Sequence, residues 1–173
     1  RRVARPVMGN IGEGATVKGD ADATLLETVD LDINAAQSLL IQGPSGSGKT
    51  TLLHLIAGFT ELDAGEVRVN DVPLDQLDRS AWQQCIGWLG QRPGLVPGTL
   101  RATLAPRDQN APDKDLQSAL RRAGAADVVR AAPQGLETSI DERGGGFSGG
   151  EAQRLALARA LVREAPILLI DEP

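Results

Sequence analysis

The 173 residues include no tyrosine, two phenylalanines, two tryptophans, one cysteine and one histidine, and each scarcity excludes something. A single cysteine, Cys85, forms no internal disulfide, so a disulfide-stapled secreted scaffold is ruled out. A single histidine, His54, removes multi-histidine metal sites. No run approaches the roughly 18 consecutive apolar residues of a membrane span. Arg1, Arg2 and Arg5 have no apolar stretch behind them, so no signal peptide is expected. Basic charge is also in short supply. Eighteen Lys+Arg against 23 Asp+Glu give a net charge of -5, the opposite of the basic face of a dedicated nucleic-acid binder, and no nucleic-acid partner is expected. With 41% hydrophobic and 24% charged residues the composition is that of a folded domain. The length allows one domain, or one and part of another. A soluble domain of a reducing compartment is the expectation that remains.

Residues 1 to about 24 carry Gly9, Gly12, Gly14 and Gly19 and few large apolar side chains, which reads as a tail or a weak edge strand. From Leu25 the texture changes. Val29, Leu31 and Ile33 alternate with Asp30 and Asp32, the period of a half-buried strand. Leu39-Leu40-Ile41 is a continuous apolar run, as expected of a strand covered on both faces. Leu52, Leu55 and Ile56 then recur at helical spacing up to Gly58. Glu66 to Val69 alternates again, Asn70-Asp71 signals a turn, and a strand is expected at Ile86 to Leu89. Between Arg92 and Pro133 lie five prolines and one helix, with Leu116, Ala119, Leu120 and Ala123 on one face. A second helix carries Leu155, Leu157, Ala158, Leu161 and Val162 and is stopped by Pro166, and Ile167 to Ile170 reads as a fully buried parallel strand. Strand and helix in alternation predict an α/β fold with a mostly parallel sheet. The expected division is a domain over 25–173, with its core at 25–91 and 164–173 and a helical subdomain at about 92–163.

The strongest chemical signal is Gly43-Pro44-Ser45-Gly46-Ser47-Gly48-Lys49-Thr50, followed by Thr51, which fits the P-loop pattern between an apolar strand and an amphipathic helix. Glycines let backbone N–H groups converge on phosphate oxygens, and the helix N-terminus adds partial positive charge. In such a loop Lys49 reaches the β- and γ-phosphates and the Thr50 hydroxyl ligates Mg²⁺, so ATP and Mg²⁺ are the expected ligands. Asp171-Glu172 closes the last apolar run, at the sheet edge where open α/β sheets bind ligands. Alone, an acidic pair there is usually a cap or a solvated turn. Beside a P-loop it reads as Walker B, with Asp171 holding Mg²⁺ and Glu172 polarising the attacking water. Ser148-Gly149-Gly150-Glu151 is, read for structure, a capping box. Two glycines in the first helical turn weaken that box and make sense where backbone must approach a phosphate.

Phe147-Ser148-Gly149-Gly150-Glu151 resembles the signature motif, LSGGQ, of ATP-binding-cassette (ABC) proteins, with Phe147 for Leu and Glu151 for Gln. The order of P-loop, Gln91 after a strand, signature and Walker B is also that family's order. The resemblance implies a P-loop NTPase fold with a helical subdomain, and makes Gln91 the Q-loop glutamine, which touches Mg²⁺, takes part in hydrolysis beside Glu172 and couples to a transmembrane partner. Glu142-Arg143-Gly144 resembles the x-loop of exporters. Trp88 to Pro93, Gly98 to Arg101 and Pro133 to Leu136 are similar to the same subgroup, nearest the cysteine/glutathione exporter subunits of cytochrome bd assembly and more weakly the peptide or fatty-acyl exporters. The implied function is ATP hydrolysis powering export at the cytoplasmic face of the cell membrane. The implied partners are the exporter's transmembrane domain and a second nucleotide-binding domain, each P-loop faced by the other's Ser148-Gly149-Gly150. Two alternatives stay open: a degenerate site that binds ATP without hydrolysing it, and a soluble ABC ATPase acting on DNA or ribosomes, disfavoured by the acidic charge.

Two departures from the family pattern stand out. The position of its adenine-stacking aromatic falls at about Lys18. Its D-loop and switch histidine would follow Pro173, so the chain resembles a piece of a longer protein whose membrane-spanning part precedes Arg1. His54 and the tryptophans, Trp82 and Trp88, are expected to pack, Cys85 to sit in the core of its strand, and Arg154, Arg159 and Arg163 to form a solvated or subunit-facing stripe.

Overall fold

In a computed structural model that describes residues 8–18, 24–91, 94–141 and 146–172, with side chains from Val29 onward, the chain divides into two units, 1–86 and 87–173. The first holds a four-stranded sheet ordered β2-β1-β3-β4, built from β1 (Met8–Lys18), β2 (Thr24–Leu31), β3 (Val67–Val69) and β4 (Val72–Pro73). All three of its ladders are antiparallel. The expected tail or weak edge strand is corrected: β1 is an inner strand, paired with β2 on one side and β3 on the other. Its pairing with β2 shifts register in three places, and the first, between Ile11 and Ala15, spans Gly12 and Gly14. Those glycines mark bulges in a central strand, not a loose end.

Period two holds from Val29 to Ile33, with Asp30 and Asp32 exposed and their neighbours half-buried. The Leu39–Ile41 run forms no strand, and Leu40 is 78% exposed. An apolar run becomes a strand only where neighbours take its N–H and C=O groups, and no described strand pairs with it. Asn70 and Asp71, at φ 49° and 64°, turn β3 into β4 as a tight primed hairpin.

Helix α1 (Lys49–Ala57) buries Leu52, Leu53, Leu55, Ile56 and Ala57. It ends as a Schellman motif, the Phe59 amide donating to His54 O at 2.8 Å and the left-handed Gly58 to Leu55 O at 3.0 Å. The hydrophobic contact that accompanies this motif is His54 edge-on to Phe59, ring centroids 5.8 Å apart, so His54 packs as expected. Helix α2 (Arg79–Gln84) starts at Asp78, whose carboxylate accepts from the Ala81 amide at 2.6 Å. On it Trp82 is buried and donates through Nε1 to Ile56 O at 3.0 Å, meeting a carbonyl of the last turn of α1. Cys85 is the half-buried C-cap of α2 and not a core residue of the following strand, because that strand begins one residue later.

The second unit pairs β5 (Ile86–Leu89) with β8 (Ile167–Ile170). The Asp171 amide donates to Leu89 O at 2.8 Å, so the C-terminal ends lie together and the pair runs parallel. Leu168 is 41% exposed, which corrects the fully buried reading of β8: among the described strands only β5 flanks it. A short antiparallel pair, β6 (Gly98–Thr99) and β7 (Ser139–Ile140), frames the helices α3 (Leu100–Leu104), α4 (Asp113–Arg122), α5 (Ala126–Ala131) and α6 (Gly149–Val162). Their core is Leu100, Leu104, Leu116, Leu120, Leu155 and Ala158. Against β5, α6 comes so close that a Cβ on Gly87 would lie 2.5 Å from Ala160 O. Arg101 ties the helices together, donating to Glu137 and to Asp113, each at 2.7 Å.

The three arginines of α6 do not form one stripe. Arg154 donates to Gly124 O at 2.7 Å and to Asp127, Arg159 to Gly94 O at 3.1 Å with burial lowering its pKa, and of the three Arg163 is exposed. Replacing Trp82 by Phe keeps an aromatic ring but removes the donor to Ile56 O and part of the buried volume. The urea midpoint is expected to fall with unchanged m-value, corresponding to about 1–3 kcal/mol.

Candidate nucleotide site

The loop over 43–48 is shaped by its glycines. Gly46 and Gly48 have φ of 80° and 85°, and a Cβ on Gly43 would stand 2.7 Å from Ser47 Oγ. The Ser47 amide closes a turn on Pro44 O at 3.3 Å. A side chain at 46 or 48 would be strained by the positive φ of this curl. Gly48 is the N-cap of α1, supplies no side-chain cap, and is followed by no acidic residue in the first turn. The helix thus brings its positive end to the loop with no carboxylate of its own. Lys49 folds back along the rim, its ammonium 3.1 Å from Gly43 O and 2.9 Å from Pro44 O. Ser45 and Ser47 are exposed on the loop, while Thr50 and Thr51 are half-buried in the first turn.

In the second unit the structure brings Gln91, Asp171 and Glu172 to one end of the β5–β8 pair. Asp171 follows β8, is 3% exposed and is anchored through its amide to Leu89, two residues before Gln91. Glu172 and Gln91 are exposed, and Glu172 adopts a left-handed φ of 50°. Among the described residues no group of three His, Cys, Asp or Glu could hold a metal by itself.

The N-terminus of α6 carries both features expected of it. The capping box is complete: Ser148 Oγ accepts from the Glu151 amide at 3.3 Å, and Glu151 Oε2 accepts from the Ser148 amide at 2.8 Å and from its hydroxyl at 2.7 Å. Gly149 and Gly150 are exposed, neither has a positive φ, and a Cβ on either would meet no described atom within 4 Å. Neither conformation nor packing among the described residues therefore asks for glycine, which costs about 0.5–1 kcal/mol against alanine in a helix. What glycine leaves is a bare helix end that another backbone or a phosphate can approach.

The P-loop lies in the first unit and the carboxylates, Gln91 and α6 in the second, and each is described within its own unit. Residues 142–145, the expected x-loop among them, lie outside the described residues, as does the side chain of Lys18. The carbonyls of Gly43 and Pro44 that hold Lys49 were not foreseeable, since backbone acceptors have no residue signature.

A family model described as ABC transporter matches residues 26–173. The ATP-dependent lipid A-core flippase of Chromobacterium violaceum is 37% identical over 153 residues, covering 88% of this chain and 26% of the flippase. The glutathione/L-cysteine transport system ATP-binding/permease protein CydD of Escherichia coli is 35% identical over 161 residues, covering 93% of this chain and 26% of CydD. A solved bacterial Atm1-family ABC exporter with ATP bound matches with a TM-score of 0.88 at 30% identity, over 99% of this chain and 30% of the exporter. The chain thus spans about a quarter of the length of the curated relatives it matches. Among the described residues no helix is long and apolar enough to cross a membrane.

The Ser148 hydroxyl, and after it the Ser148 amide, holds the Glu151 carboxyl below the ordinary value of 4.5. A depressed folded-state pKa stabilises above the unfolded value and loses that contribution as pH falls through the folded one. Melting temperature as a function of pH is therefore expected to separate wild type from Glu151→Gln above about pH 4.5, and the gap should close in more acidic buffer.

Proposed function

The chain belongs to the ABC transporter family, and from that premise we propose that it binds and hydrolyses ATP to drive export through a membrane transporter. The observation that carries the reading is the 43–50 loop: a glycine curl on the positive, acid-free end of α1, with the Lys49 ammonium resting on two carbonyls of its rim. When a triphosphate enters, Lys49 exchanges those carbonyls for β- and γ-phosphate oxygens while the loop amides hold the rest of the chain of phosphates. In this reading Thr50, Gln91 and Asp171 are the residues that would hold Mg²⁺, whose charge would offset that of the phosphates. Glu172 accepts a proton from the attacking water. Such chemistry asks the protein for positioning and charge, and little else.

In this reading the partners are a transmembrane domain and a second nucleotide-binding domain, and the site of action is the cytoplasmic face of the membrane. Two domains sandwich two nucleotides, each P-loop faced by the other's Ser148, Gly149 and Gly150. The bare glycine end of α6 supports that arrangement. A thiol such as cysteine or glutathione is the cargo favoured by the exporter-like segments and by the likeness to CydD. One observation favours a site that binds without turnover: no tyrosine is present to stack on adenine, and about Lys18 falls where the family places an aromatic. The acidic pair Asp171-Glu172 at the end of β8 weighs against it.

The test is Mg²⁺-dependent ATPase activity of the full-length protein in lipid. Lys49→Ala is expected to raise the dissociation constant for ATP at least about tenfold. Glu172→Gln is expected to keep binding and lose roughly 10²–10⁴-fold in turnover. Unchanged turnover in Glu172→Gln would remove that residue from its role, and binding without turnover in the wild type would establish the degenerate site.

A further inference from the structure

We propose that Glu151 tunes ATP affinity by acting as a resident anion at the signature end of α6, one that the nucleotide phosphate of a partner domain has to displace. The inference rests on the reading above, in which Ser148, Gly149 and Gly150 face a second domain's P-loop.

The argument starts from donor counting. A serine hydroxyl has one proton, and that of Ser148 is committed to Glu151 Oε2 at 2.7 Å. The same carboxylate oxygen takes the Ser148 amide at 2.8 Å, and the Ser148 lone pair takes the Glu151 amide at 3.3 Å. A phosphate arriving at this helix end can gain the Ser148 hydroxyl only after the carboxylate gives it up. Hydrogen bonds to an ionised acceptor are roughly twice as strong as neutral ones, so that release is costly.

The two helix ends of this chain make the contrast plain. The first turn of α1 has no acidic residue and begins with Lys49, whereas the first turn of α6 holds Glu151. Arg154, one turn along α6, attracts that carboxylate but is itself engaged by Gly124 O and by Asp127 from α5, and Asp127 pushes against the second negative charge. The open space at Gly149 and Gly150 admits a phosphate close to Glu151, so repulsion adds to competition. A cap alone does not require this combination: glutamine at the same position also completes a capping box and carries no charge.

The experiment measures the ATP dependence of turnover by the full-length protein in lipid, comparing wild type with Glu151→Gln. The variant keeps the box, so it is expected to fold, and its half-saturating ATP concentration is expected to be about fivefold lower. The gap should shrink between about 20 mM and about 500 mM KCl, because salt screens charge repulsion and leaves a purely structural cap untouched. An unchanged or higher half-saturating concentration in Glu151→Gln, or a gap indifferent to salt, would overturn the proposal. Turnover that survives Lys49→Ala, or a wild type without turnover, would instead sink the underlying reading and this inference with it.

Discussion

The positive end of a helix, and what is placed against it, is the constraint on which the rest of this molecule depends. Partial charge on uncapped amides must be met by something. At α1 Gly48 has no side chain, the first turn has no acid, and the neighbouring Lys49 ammonium turns to carbonyls. At α6 the chain supplies its own answer, Glu151 bound to Ser148. In the account proposed above, the first end receives the phosphates of the nucleotide, and at the second Glu151 holds the Ser148 hydroxyl that a phosphate would otherwise take.

Much of the surrounding structure holds those two ends in place. Helix α1 is fixed at its far end by the Schellman motif at Gly58, the His54–Phe59 contact and the Trp82 bond to Ile56 O. Helix α6 is fixed by the Leu155 and Ala158 face in the core, by the glycine-width contact of Gly87 with Ala160, and by Arg154 and Arg159 reaching back to Gly124 and Gly94. Buried apolar contacts set where each helix lies, and backbone acceptors set how it ends. The scarcity of aromatics is met by leucine and alanine packing, with Trp82 as the one large buried ring among the described residues.

The loop, the acidic pair and the signature were legible because each is a local pattern whose chemistry constrains residue type and spacing. Helices α1, α4 and α6 were legible because apolar residues at helical spacing select one face, and Asn70-Asp71 because few other pairs accept two positive φ values. Non-local matters were read less well. The glycines of β1 looked like a tail because a bulged central strand is recognisable only with its partners present. Leu39 to Ile41 looked like a strand because an apolar run says nothing of whether a ladder exists to receive it. The arginines of α6 share a face by spacing, yet different acceptors, Gly124 O and Gly94 O, decide where two of them go.

The central claim is that the 43–50 loop holds the phosphates of a nucleotide, and thermal unfolding with and without Mg-ATP tests it most directly. Ligand at ~100 times its dissociation constant should stabilise the protein by roughly 2.7 kcal/mol, and the shift should vanish in Lys49→Ala. A cooperative melt that Mg-ATP does not move, or moves equally in Lys49→Ala, would contradict the account.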